Sequence, residues 1–231
     1  MIEDAAVPPP AGERDPAEMT LDELRLHLAP LVADAAIFDG WGDAALVEAA
    51  RTARIDVDVA RLAFGGGAMA MIGAWIETID LAMAAALSPD ALAAMKIRER
   101  IRSLVQFRLD AVAGREEALR RALAIMAMPQ NAAKALRTGW RSADIMWRLA
   151  GDTATDWNHY SKRAILASLY GATLGVFVTD DSLGKVETRA FLDRRIEGVM
   201  RFETFKRQWL KPQREGFSMT RFLGRLRYAA R

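Results

Sequence analysis

The residues able to do chemistry in this chain are few. Cysteine is absent, which excludes thiolate zinc sites, iron–sulfur clusters, disulfides and Cys nucleophiles. The two histidines, His27 and His159, leave little scope for a His-rich metal site. There is no G-x-S-x-G elbow, no G-x-x-x-x-G-K-S/T phosphate loop and no H-E-x-x-H pair. Gly65-Gly66-Gly67 lacks the Lys-Ser or Lys-Thr that would make it a phosphate cradle and reads as a helix junction. Glu77 and Asp80 share a helical face, but two carboxylates without histidine do not build a di-iron site. No catalytic residue, metal ligand or cofactor is assigned, and the sequence points toward binding.

Those residues must be positioned by helices. With 43 Ala and 24 Leu against 11 Val in 231 residues, the composition favours helix formers over the β-branched residues of sheets. The expected fold is all-α with nine to ten helices. Thr20 and Glu23 form a capping-box spacing for a first helix reaching about Phe38. Gly40 and Gly42 make a turn around Trp41, and a short helix follows through Leu46, Val47 and Ala50. Asp56 and Asp58 open a third helix ending near Gly65. Ile72, Trp75, Ile79 and Met83 mark a long helix that stops before Ser88-Pro89, where serine caps the next. Further helices follow Ile97 to Val112, Leu119 to Met126, and Leu136 to Leu149 beyond the Met128-Pro129-Gln130 break. A nearly all-apolar helix over 156–179 is expected at the bundle centre. A charged helix from about Leu183 to Leu210 and a last one from near Glu215 complete the order.

This gives four divisions: an acidic Pro-rich head at 1–19, a helix-turn-helix-like region at 20–65, a helical body at 66–212 and a basic terminal helix at 213–231. The longest uncharged runs, 62–76 and 164–179, fall short of the ~20 residues a membrane span requires, so no span and no targeting segment is expected.

The net charge of +2 is unevenly spread. Residues 201–231 hold nine Lys or Arg against Glu203 and Glu215, a net +7, leaving −5 for the rest. Within that tail Phe217, Met219, Phe222, Leu223 and Leu226 form one helical face and Arg221 and Arg225 extend along another. Such a helix either lies in a membrane interface, gaining about 1 kcal/mol per basic residue near anionic lipid, or docks on the body with its basic face solvated.

The front end, from Leu31-Val32-Ala33-Asp34-Ala35-Ala36-Ile37-Phe38 through the glycine turn to Ile55-Asp56-Val57, resembles the helix-turn-helix region of tetracycline-repressor-type regulators. That resemblance implies a three-helix head, a larger helical ligand-binding body and a possible homodimer. The reading helix carries Asp56 and Asp58 where phosphates would lie, so nucleic acid is not an expected partner.

Four ordered blocks give a second, more specific resemblance. They are Leu123-Ala124-Ile125-Met126-Ala127-Met128-Pro129-Gln130-Asn131, Ser142-Ala143-Asp144-Ile145-Met146-Trp147, Gly151-Asp152-Thr153-Ala154-Thr155-Asp156-Trp157-Asn158-His159-Tyr160-Ser161-Lys162-Arg163, and Thr188-Arg189-Ala190-Phe191-Leu192-Asp193-Arg194-Arg195-Ile196. Together they strongly resemble the ubiquinone (coenzyme Q) biosynthesis accessory family, whose members are similar in fold to tetracycline-repressor regulators. The resemblance implies a non-enzymatic protein that binds isoprenoid quinone precursors, sits on a membrane surface with anionic lipids and engages demethoxyubiquinone hydroxylase. The implied location is cytoplasmic, peripheral on the inner face of the membrane. It also implies a partner patch of Met146, Trp147, Asp156, His159, Tyr160 and Arg163, with Asp156, Tyr160 and Arg163 projecting from one helical face. His159 stands where the family commonly has Trp.

For the lipid, Leu104, Leu123, Met126, Trp140, Leu166, Leu169 and Tyr170 recur at helical spacing. They either line a pocket between helices or fill an ordinary core. The alternative function is a ligand-responsive transcription regulator that kept the repressor architecture.

Overall fold

A computed structural model describes residues 18–153 and 157–209. Ten α-helices and no strand are present among the described residues. They are α1 (Leu21–Asp39), α2 (Asp43–Ala53), α3 (Val57–Ala63), α4 (Ala68–Ala86), α5 (Pro89–Ala93), α6 (Ile97–Ala111), α7 (Glu116–Met126), α8 (Ala132–Leu149), α9 (Trp157–Phe177) and α10 (Val186–Trp209). The terminal helix, with Phe217, Met219, Arg221, Phe222, Leu223, Arg225 and Leu226, lies outside the described residues, as does the Pro-rich head.

Local chemistry sets the helix ends. Thr20 Oγ1 accepts from the Glu23 amide while the Glu23 carboxylate accepts from the Thr20 amide, so both orphan donors at the start of α1 are satisfied. Asp56 caps α3 by accepting from the Asp58 and Val59 amides, and Ser88 caps α5 ahead of Pro89. Gly40 ends α1 at φ 73°, in the left-handed region that favours glycine. α1 also contains Pro30, which deprives the Leu26 carbonyl of its helical donor. The helix tolerates this because Leu24, Leu28, Val32 and Ala36 are buried against its neighbours.

α1 packs on α2 and α3 and also on α4 and α7, so the three-helix head and the body share one continuous core. Trp41 joins them: its indole N–H donates to the Ala118 carbonyl at 2.8 Å, and its ring lies 5.3 Å from Trp75 of α4. Glu77 of α4 accepts from Arg25 of α1 at 3.3 Å and from Arg141 of α8 at 2.7 Å, tying head to body through charge. α4 is long and apolar enough to cross a membrane, a feature the count of uncharged residues missed because Glu77 and Asp80 interrupt the run. Here it packs against α1, α6, α7 and α8 with both carboxylates paired.

α10 begins three residues later than its charge pattern predicts. A short 3-10 turn over Leu183–Lys185 precedes it, with Gly184 and Lys185 both at positive φ, which no continuous helix allows. Asp180 organises this turn. One carboxylate oxygen accepts from the Ser182 amide and hydroxyl, and the other accepts from the Thr188 amide at 2.8 Å and hydroxyl at 2.6 Å. Hydrogen bonds from Ser182 and then Thr188 hold the Asp180 carboxyl well below its usual value. The stabilisation is therefore complete above the ordinary carboxylate pKa of 3.8 and is lost as the pH falls toward the depressed folded value. Asp180→Asn is expected to melt below wild type at pH 7, with the gap closing between about pH 4 and 2. A gap constant across that range in thermal melts would contradict the assignment.

Candidate functional site

A cavity of about 840 Å³ opens between α4, α6, α7, α8 and α9. Its cause is legible residue by residue. Ala164, Ala167, Ser168 and Gly171 of α9 follow helical spacing on one side, while Leu166, Leu169, Thr173 and Phe177 lie on the opposite side and are buried in the core. Ala132, Ala135 and Gly139 repeat the pattern on α8. At these positions, where a packed bundle would place leucines, only small side chains or none are present and the gap remains open, flanked on the same two helices by Leu136, Trp140, Tyr170 and Leu174. The large apolar walls come from Ile72, Trp75 and Ile79 of α4 and from Leu123 and Met126 of α7. The rim includes Leu136, 76% exposed, beside the exposed Ala127, Ala132, Ala164 and Ser168.

One part of the wall is polar. Arg108 of α6, 1% exposed, forms an ion pair with Asp80 of α4 through Nη1. Its Nη2 donates to Ser142 Oγ at 3.2 Å, and Ser142 in turn donates to the second Asp80 oxygen at 3.1 Å. Burial pushes the Asp80 carboxyl up from its ordinary value, against the pull of the Arg108 charge and of the hydrogen bonds from Arg108 and Ser142. The Tyr170 ring lies 4.8 Å from the guanidinium carbon. The sequence gives no local signal for this cluster, because Asp80 and Arg108 lie 28 residues apart and Ser142 34 residues further on.

The predicted lipid residues divide. Leu123, Met126, Trp140 and Tyr170 line the cavity. Leu104, Leu166 and Leu169 do not: each is a buried core residue outside the lining. Reading for large apolar side chains found the walls and missed the small residues that leave the space between them.

The predicted partner patch also divides. Tyr160 is 57% exposed, and its ring lies 6.1 Å from Trp140 and 5.1 Å from His159. Trp147 is half-buried; its indole donates to the Lys162 carbonyl at 2.9 Å, and the Lys162 ammonium sits 5.4 Å from the ring. Met146 is fully buried. Arg163 does not project beside Tyr160 as its spacing suggests; at 2% exposure it points inward. The reason is charge: Nε donates to Asp144 of α8 at 2.6 Å and Nη1 donates to Asp152 at 3.0 Å, with Nη1 also reaching the His159 carbonyl. Asp156 lies outside the described residues. What the structure adds is a contact between the two groups, since Trp140 of the cavity touches Tyr160 of the surface.

In the head, Arg61 of α3 pairs with Asp43 at 2.8 Å and with Asp58 at 3.1 Å, while Val59 and Leu62 are exposed. Among the described residues no group of His, Asp and Glu is arranged to hold a metal ion.

Comparison with known proteins follows the same division. The COQ9 family model matches residues 132–203, which hold α8, α9 and most of α10. Ubiquinone biosynthesis protein COQ9, mitochondrial, from Rattus norvegicus is 38% identical over 105 residues, 46% of this chain and 34% of that protein. Its Homo sapiens counterpart is 35% identical over 105 residues, covering 46% and 33%. COQ9-A from Xenopus laevis is 25% identical over 205 residues, covering 84% and 64%. The chain thus spans about a third of the length of the two mammalian relatives. A solved structure of a TetR transcriptional regulator from Nitrosomonas europaea superposes with a TM-score of 0.63 at 20% identity, covering 78% of this chain and 99% of the regulator. Residues 132–203 are thus similar to the COQ9 family, and the chain shares the all-helical fold of a TetR regulator.

Proposed function

We propose that this protein is a non-catalytic lipid-binding accessory protein of ubiquinone biosynthesis, which shelters isoprenoid quinone precursors at a membrane surface and presents them to demethoxyubiquinone hydroxylase. The observation that carries the reading is the 840 Å³ apolar cavity, two of whose walls belong to the COQ9-matching segment. Its physical basis is solubility. A polyprenyl chain leaving lipid for water loses roughly 0.8 kcal/mol for each CH₂ exposed, so transfer to a soluble active site needs a covered route. The small-residue surfaces of α8 and α9 provide room, and Met126 adapts to a flexible chain.

Tyr160 is the surface anchor for the hydroxylase in this account. It is exposed, aromatic and in contact with Trp140, so a partner docked there sits beside the cavity wall. The basic tail, from Phe217 to Leu226, holds the protein peripherally on the inner, cytoplasmic face of the quinone-bearing membrane; in the named relatives the compartment is the mitochondrion. A homodimer through the last helices belongs to the same proposal. DNA binding is disfavoured because the α3 guanidinium is already engaged by two aspartates while α3 turns Val59 and Leu62 outward.

The test is transfer of a prenylated quinone between donor and acceptor vesicles containing anionic lipid. The protein is expected to accelerate transfer in proportion to its concentration, and a rate equal to the protein-free control would overturn the reading. For the partner surface, Tyr160→Ala is expected to weaken hydroxylase association by about tenfold or more, as loss of an aromatic anchor does, with the melting temperature unchanged. Undiminished pull-down would reject Tyr160 as the anchor.

A further inference from the structure

Trp140 belongs to the cavity and to the surface at once. It lines the cavity, and its ring lies 6.1 Å from that of Tyr160, which is 57% exposed on the outside. The sequence explains why they meet. On α9, Tyr160, Ala164, Ala167 and Gly171 follow at helical steps of four, three and four, and the last three line the cavity. Tyr160 is therefore the large side chain at which that run of small ones ends. On α8, Trp140 stands beside Gly139 and one turn beyond Leu136, both of which line the cavity. The two rings close one edge of the gap between α8 and α9. They are held differently from their surroundings. Within two turns, Arg163 bonds Asp144 and Asp152, and the Trp147 indole donates to the Lys162 carbonyl. Neither the Trp140 indole N–H nor the Tyr160 hydroxyl hydrogen-bonds to another described residue. Ring contact alone sets one against the other, on a junction that is otherwise pinned by charge.

How closely the inner face of Trp140 is packed depends on what fills the cavity. A lipid chain against that face restricts the rotamers of Trp140 and, through the ring contact, those of Tyr160. A side chain ordered before docking loses less entropy when a partner immobilises it. We propose that Trp140 is a positioning residue that passes occupancy of the cavity to Tyr160, so that the loaded protein docks its partner more tightly than the empty one. This rests on the readings of the cavity as a lipid site and of Tyr160 as the hydroxylase anchor, and it adds a regulation that joins them. An empty carrier then yields the docking place to a loaded one. Linkage makes the effect reciprocal: docking tightens the hold on the lipid by the same factor, which keeps the cargo in place while the complex forms.

The chain has three tyrosines, Tyr160, Tyr170 and Tyr228, so fluorotyrosine in place of all three gives three fluorine resonances, assigned by changing each Tyr to Phe in turn. Tyr170 lines the cavity and reports filling directly, whereas Tyr160 lies outside the lining and reports what reaches it through Trp140. On titrating the full chain with geranylgeranyl-1,4-benzoquinone, both resonances are expected to move with one midpoint. In Trp140→Leu the Tyr170 resonance is expected to keep moving and the Tyr160 resonance to stay still. Hydroxylase affinity is expected to be about twofold to tenfold higher for quinone-saturated than for empty wild type, the range for ordering one rotamer-rich side chain in advance. In Trp140→Leu that difference is expected to vanish. A Tyr160 resonance unmoved while Tyr170 shifts overturns the inference and leaves the cavity a lipid site. Equal hydroxylase affinity of loaded and empty wild type does the same. A Tyr160 shift that persists in Trp140→Leu overturns Trp140 as the route. A Tyr170 resonance that ignores the quinone overturns the lipid reading and the inference with it. The wild-type comparisons need no variant, so misfolding of Trp140→Leu leaves them decisive.

Discussion

Filling the cavity from the backbone is expected to raise stability and abolish lipid binding together. Gly139 and Gly171 line opposing sides of it on α8 and α9, and a Cβ added at either position meets no atom within 4 Å. Both are interior helical glycines, where replacement by leucine recovers roughly 0.8–1 kcal/mol of helix propensity. A leucine turned into the gap also removes apolar surface from water, contributing about 1.5–3 kcal/mol if fully covered. The double variant Gly139→Leu/Gly171→Leu should therefore melt several degrees above wild type, at about 2–4 °C per kcal/mol for a chain of this size. Binding should move the other way. Misfit by one methylene in an apolar pocket costs roughly 10-fold to 200-fold, and two leucines exceed that misfit. A variant that gains stability and keeps full affinity for a prenylated quinone would place the lipid elsewhere.

Arg163→Ala is expected to produce the largest loss of stability among single changes. The guanidinium joins Asp144 of α8, Asp152 of the connecting turn and the His159 carbonyl of α9. Removing it takes one ion-pair partner from Asp152, whose side chain is 4% exposed, and one from Asp144, which keeps its pair with Arg148. Breaking one side of a buried ion pair typically costs about 3–5 kcal/mol. At about 2–4 °C per kcal/mol the melting temperature should fall by roughly 6–20 °C. The result separates two roles that the spacing had merged. Loss of hydroxylase association in Arg163→Ala is expected to accompany loss of structure, whereas Tyr160→Ala should lose association with structure intact. An unchanged melting temperature in Arg163→Ala would show that the ionic junction contributes little.

The sequence announces helix ends well because capping is local. Thr20 and Glu23, or Ser88 and Pro89, carry their own hydrogen-bond partners within three residues. It announces the start of α10 less well, since Gly184 and Lys185 take positive φ under the control of Asp180, whose bonds to Thr188 span eight residues. Side-chain direction is harder still. Tyr160 and Arg163 are helical neighbours, yet one is exposed and the other buried, because Asp144 and Asp152 draw the guanidinium inward. The cavity is the extreme case. Large apolar residues such as Leu104 and Leu166 occur equally in walls and in cores, so they do not mark a pocket. The informative pattern is the helical repeat of Ala164, Ala167, Ser168 and Gly171 opposite Ala132, Ala135 and Gly139, a signal of missing volume. Its meaning depends on which helices face each other, and that is a tertiary fact.

The central claim is that the space between α8 and α9 holds a prenylated quinone-type lipid. Native mass spectrometry of freshly purified wild type beside Gly139→Leu/Gly171→Leu, each followed by extraction and identification of bound lipid, tests it most directly. The account predicts a prenylated aromatic lipid on wild type and none on the filled variant. Lipid-free wild type after incubation with quinone-bearing vesicles, or equal occupancy of the two proteins, would contradict it.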